Sequence, residues 1–156
     1  PNHLTGFLLR DLVFVSLLVV LFLIDARKKI LPDVLTVSGI VLMCAFNLFL
    51  GIPLPTILLG ALTIGGFFAL QYVFSRGTWV GSGDIRFGIL LGAMFGVAYG
   101  LLTLGLAYIL GALFASFLLI QQKATRKSEL PFGPFLAISA FFILLFGQKI
   151  MQILFV

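Results

Sequence analysis

Two carboxylates stand at the edges of apolar stretches in this chain. Asp25 closes one, in Ile24-Asp25-Ala26-Arg27, and Asp84 opens another, in Gly81-Ser82-Gly83-Asp84-Ile85-Arg86. The chain holds 5 acidic residues in all, so two in such places need a physical reason. An intramembrane carboxylate is costly and marks function by default. Two of them able to meet would form an acid–base dyad, one member neutral and the other ionised. The competing reading is that each merely marks a membrane interface beside Arg27 and Arg86.

The composition says what must hold these residues. Of 156 residues, 62% are hydrophobic and 10% charged, and the mean hydropathy is +1.26. A soluble domain is nearer half apolar and a quarter charged. One core of this size cannot hide that surplus, so the chain reads as an all-α, polytopic integral membrane protein forming a single domain over residues 1–156. The apolar runs are continuous and do not alternate, which argues against a closed β-barrel. The formal net charge of +5 is carried in short loops, which excludes a nucleic-acid surface as its explanation. A single cysteine, Cys44, and a single histidine, His3, exclude an internal disulfide and a multi-cysteine zinc site; no metal or cofactor is expected. Cys44 reads as a small apolar residue inside a span.

Apolar spans run over Phe7–Ile24, Val34–Leu50, Ile57–Phe74, Phe87–Ile120 and Phe132–Phe146. Pro32-Asp33 starts a helix with Asp33 as a first-turn anion. Gly51 to Pro55 is a tight turn, Gly77 to Gly83 a glycine-rich loop, and Gln121 to Glu129 the longest polar stretch. Phe87–Ile120 is too long for one crossing: 34 residues rise about 51 Å against a hydrocarbon core of about 30 Å. A hairpin near Gly96–Gly100 puts Arg76 and Arg86 on the same side as Lys123, Arg126 and Lys127. Arg27, Lys28 and Lys29 join them, so 8 of the 10 basic residues become cytoplasmic, as the positive-inside rule asks. The pattern predicts about six helices, a short fourth near Ile85–Gly96, and both termini on the other side. Asp25 and Asp84 then share one membrane depth. Gly88, Gly92, Gly96 and Gly100 recur every four residues, the spacing of a smooth face for close helix packing. Trp79 reads as an interface anchor.

Three stretches, in order, resemble the type IV prepilin peptidases, a branch of the GxGD intramembrane aspartic proteases. Ile24-Asp25-Ala26-Arg27 followed by Leu31-Pro32-Asp33-Val34-Leu35-Thr36 is similar to the first aspartate motif, and Gly81 to Arg86 to the second. Leu130-Pro131-Phe132-Gly133-Pro134-Phe135-Leu136-Ala137 resembles the Pro-Phe-Gly-Pro motif of bacterial members. A presenilin-type enzyme would show Tyr-Asp and Pro-Ala-Leu in the corresponding places. The resemblance implies Asp25 and Asp84 as the catalytic pair and Asp33 as a structural acid that caps a helix or orders a loop. Gly81, Gly83, Arg86, Pro131, Phe132, Gly133 and Pro134 are implied as substrate-binding or site-shaping residues. Arg86 stands where the family usually has Lys. Nothing here matches the paired-cysteine methyltransferase domain of many bacterial members, which implies a short single-function member or the protease part of a longer protein.

The implied activity is removal of a short basic leader from prepilins or pseudopilins by an activated water, at the cytoplasmic face of the bacterial inner membrane. Anionic lipid is a further partner, since a basic leader sits oddly beside basic loops. Asp84 begins a helix and Asp25 ends one, so the helix dipole favours the anion on Asp84 and makes it the general base. A small proton-coupled transporter is the alternative, for it too places carboxylates at helix ends. A structural assembly subunit, indifferent to either aspartate, is a third.

Overall fold

The computed structural model describes residues 3–122 and 131–155, and every element in them is helical. The helices are α1 (His3–Lys28), α2 (Asp33–Phe49), α3 (Leu54–Ser75), α4 (Ser82–Ile120) and α5 (Gly133–Phe155). Among the described residues, four helices are long and apolar enough to cross a membrane: α1, α3, α4 and α5. The α2 helix is apolar but shorter. The chain is thus an all-α, polytopic membrane protein. The basic residues expected at Lys123, Arg126 and Lys127, together with Glu129, Leu130 and Pro1, lie outside the described residues.

Local chemistry explains the boundaries. Lys29, with φ 54°, takes α1 out of helical geometry, and Pro32 disfavours helix at the residue before it. Pro32 and Pro53, both extended, precede the first residues of α2 and α3. A left-handed pair, Arg76 (φ 52°) and Gly77 (φ 76°), ends α3.

The α4 helix is broken at Gly96, whose φ of 70° and ψ of −166° only glycine adopts readily. The chain reverses there. Residues 92 and 100 of a straight helix would be about 12 Å apart at 1.5 Å per residue, yet a Cβ built on Gly100 would lie 3.9 Å from Gly92 Cα. Both limbs pack on α3: a Cβ on Gly88 would meet Ile64 O at 3.0 Å, and one on Gly100 would meet Ile64 Cγ1 at 2.8 Å. The four-residue glycine repeat is therefore not one face of one helix, as its spacing suggests. Gly88 and Gly92 lie on the first limb, Gly96 makes the turn, and Gly100 lies on the second limb.

The tightest backbone approach is between α3 and α4, where a Cβ on Gly92 would overlap the carbonyl of Gly60. Substituting Gly92 by Leu is expected to destabilise the protein by at least about 1–3 kcal/mol, the cost of overpacking a filled site. Thermal unfolding in detergent checks this, with Gly66→Ala as the control, since a Cβ there meets nothing within 4 Å. Phe14, Leu21, Met43, Ile64, Phe68, Phe87, Leu90 and Leu136 fill the centre and are fully or almost fully buried.

Candidate active site

The end of α1, the starts of α2 and α4, the loop after α3 and the lead-in to α5 surround one open cavity of about 400 Å³. Asp25 and Asp84 both line it, and each lies within electrostatic reach of the other. Asp25, in the last turn of α1, is 5% exposed; Asp84, in the first turn of α4, is half-buried.

A backbone segment at the start of a helix approaches each carboxylate. The Gly81 N–H donates to Asp84 Oδ2 at 2.9 Å, while the Asp84 N–H donates to Gly81 O at 3.1 Å. Asp84 thus caps the helix on which it rides. The backbone of Gly133, at the start of α5, lies against the Asp25 carboxylate, with its N–H on that side. A Cβ on Gly133 would stand 2.5 Å from Asp25 Oδ2, so the approach requires glycine. The helix-end asymmetry expected from the sequence is accordingly not retained. Asp25 ends α1, but the N-terminus of α5 faces it, so both carboxylates sit where a helix favours an anion.

Gly81, Gly83, Arg86, Pro131 and Phe132 also line the cavity. Gly83 lies against α1's exit loop, where a Cβ would come within 2.9 Å of Leu31 Cβ. Gly133 backs Asp25 without lining the cavity, and Pro134 is buried in the first turn of α5. Asp33 is the first residue of α2 and its first-turn acid, as expected; its Oδ1 also accepts from Arg86 Nη1 at the cavity rim. Trp79, 73% exposed, lies on the same rim.

Beyond the site residues expected from sequence and Trp79, Lys29, Ile30, Leu31, Gly77, Thr78, Val80 and Ser82 complete the lining. Tyr108 supports the Phe132 ring from behind, with centroids 4.8 Å apart. Its hydroxyl is exchanged with Gln71 in hydrogen bonds of 2.8 and 2.9 Å. Tyr108 and Gln71 belong to α4 and α3, so nothing local in sequence signals their link to residue 132.

Two carboxylates, a glycine-rich loop and the lead-in to α5 thus border one cavity. The model of the type IV leader peptidase family matches residues 12–116, well over half of the chain, a span that includes positions 25 and 84. The chain belongs to the type IV leader peptidase family.

A prepilin leader peptidase/N-methyltransferase of Pseudomonas putida is 34% identical to this family member over 140 residues, covering 85% of the chain and 48% of that protein. The protein of the same name from Aeromonas salmonicida (strain A449) is 33% identical over 149 residues, covering 91% and 50%. That of Legionella pneumophila is 29% identical over 150 residues, covering 93% and 52%. The chain spans about half the length of the curated relatives it matches. No solved structure matches it significantly.

For this leader peptidase family member, the rim pair predicts a small stability effect. The Arg86 and Asp33 side chains are 34% and 64% exposed. Arg86→Ala should therefore cost no more than about 1 kcal/mol, as measured for exposed ion pairs. Thermal unfolding against Asp33→Ala and the double variant isolates the coupling between the two.

Proposed function

We propose that this chain is a membrane aspartic endopeptidase that removes the leader from type IV prepilins or pseudopilins. The observation that carries the proposal is the meeting of Asp25 and Asp84, from distant parts of the chain, in one cavity. One carboxylate takes a proton from water as the water attacks the scissile carbonyl. The other, neutral, donates a proton to the carbonyl oxygen. The C–N bond then breaks, and the amine leaves with a proton. One proton shared by the pair serves both roles, and the dyad titrates as a unit. Since a helix N-terminus faces each carboxylate, the base is not assigned to one of them.

The remaining residues shape the cleft. Gly81 and Gly83 keep side chains out of the path of an extended substrate backbone. Phe132, held by Tyr108, forms an apolar wall, and Gly133 fixes the Asp25 carboxylate. Pro131 and Pro134 set the backbone around them. Arg86 and Asp33 tie the starts of α4 and α2 together at the mouth.

We further propose six spans, the two limbs of α4 each crossing, with the cavity at the cytoplasmic face of the bacterial inner membrane. The loop charges at Arg27–Lys29, Arg76 and Arg86 support this orientation. Prepilins or pseudopilins with basic leaders would be the substrates, with anionic lipid as a further partner at the basic face. Family membership lends no support to the transporter alternative.

The test is reconstitution of the chain in liposomes with a prepilin, followed on gels for the shortened product. Ion or proton flux is recorded in the same vesicles. Shortening without flux supports the peptidase. Flux without shortening would overturn it.

A further inference from the structure

Arg10 and Asn47 form a polar cluster that the peptidase reading leaves unused, at the end of the bundle away from the cavity. Arg10 lies 15 residues before Asp25 on α1, about 22 Å along the helix. Its side chain is 12% exposed. Arg10 Nη1 donates to Asn47 Oδ1 at 2.8 Å, and Nε and Nη2 donate to Asp11 Oδ1 at 2.9 and 2.7 Å. Its guanidinium also lies over the Phe7 ring, 5.1 Å from the centroid. Asn47, on α2, is fully buried. Asn47 Nδ2 donates to Ala93 O at 2.8 Å and to Met94 O at 3.5 Å. Those carbonyls lie in the last turn before the Gly96 break, where a helix end leaves acceptors short of partners. One amide therefore joins α1 to the first limb of α4.

That join matters because α1 carries Asp25, α4 carries Asp84, and the two helices have no close backbone packing among the described residues. Side chains such as Phe14 and Phe95 fill the space between them, with ring centroids 5.5 Å apart. Apolar contacts of this kind tolerate sliding, whereas a hydrogen-bonded amide fixes register. At the cavity end, α1 is located by Gly133 of α5. At the far end it is located by Asn47.

We infer that Asn47, bridging Arg10 to the Ala93 and Met94 carbonyls, is a positioning residue that sets the register of α1 against α4 and so the spacing of Asp25 and Asp84. The bridge keeps two helices that lack a direct seam in one catalytic geometry. The inference rests on the peptidase reading for its consequence, but its geometry can be measured without substrate.

The test uses the full chain with Cys44→Ser, Asp25→Cys and Asp84→Cys, and reads the rate of thiol cross-linking between positions 25 and 84 by mass spectrometry. With Arg10 and Asn47 intact, the pair should cross-link readily; no cross-link would overturn the shared cavity and this inference with it. Asn47→Leu should slow cross-linking by about tenfold, in keeping with the sensitivity of reacting groups to displacements near 1 Å. Because Asn47→Leu leaves Arg10 Nη1 without its acceptor and the Ala93 carbonyl without its donor, the Arg10→Met/Asn47→Leu pair is measured as well. Exchanging both polar partners for apolar ones restores stability in many proteins. The double variant removes the Arg10 penalty and keeps only the cost of the unpaired Ala93 carbonyl, so it should fold and melt above Asn47→Leu yet still cross-link slowly. With both aspartates restored, its kcat should fall by about 10²-fold with KM changed little. A stable double variant that cross-links at the parent rate would overturn the inference and leave the peptidase proposal standing.

Discussion

Asp25→Asn and Asp84→Asn are each expected to lower leader cleavage by about 10²–10⁴-fold, the contribution of a positioned general acid or base. Asparagine keeps the size and the acceptor for the Gly81 or Gly133 N–H, so both variants should fold. What each loses is a group that takes up or releases a proton. The two carboxylates act on one water and one carbonyl, so the losses should not add. The double variant should be about as slow as either single variant, as for residues that work as a unit. Single-turnover kinetics on a prepilin in detergent checks all three. Equal melting temperatures exclude unfolding as the cause.

Gly133→Ala is expected to cost nearly as much, by a different route. The added methyl would stand 2.5 Å from Asp25 Oδ2, well inside contact distance. Asp25 must then swing away, or α5 must retreat and withdraw its N–H. Either movement displaces one carboxylate by about 1 Å, enough for a loss near 10²-fold. Substrate binding along the rim should change little, so kcat falls and KM holds. Gly111→Ala, on the second limb of α4, is the comparison: its Cβ would meet the nearest atom, of the Phe132 ring, at an ordinary 3.5 Å. Steady-state kinetics of the two variants separates loss of the carboxylate's support from general disturbance near Phe132.

Much of this site was legible in the residues, for identifiable reasons. Backbone groups cannot be left unpaired in lipid, which allows helices or a closed barrel, and continuous apolar runs that do not alternate leave helices. Charge placement pointed to a reversal within 87–120, and the backbone breaks at Gly96. The order of the two aspartate motifs and the Pro131–Pro134 stretch identified the family. Less legible were features that need two distant elements to meet. Gly88, Gly92, Gly96 and Gly100 look alike in sequence, yet one is a turn and the others are packing surfaces. Asp33 was legible as the first-turn acid of α2, but its pairing with Arg86 of another helix was not. The expected preference of Asp25 for the neutral form considered only the helix it ends and not the one that begins beside it. Arg10 and Asn47 drew no attention because each is an isolated polar residue in an apolar run, and their bond exists only when α1 and α2 are packed.

The central claim is that Asp25 and Asp84 together cut the leader from a prepilin. Its most direct test is mass spectrometry of products formed by the purified protein, Asp25→Asn and Asp84→Asn, from one prepilin in liposomes. The prediction is a single cut ahead of the substrate's apolar helix by the unsubstituted protein, and no product from either variant on the same timescale. The same cut made at the same rate by either variant would contradict the claim.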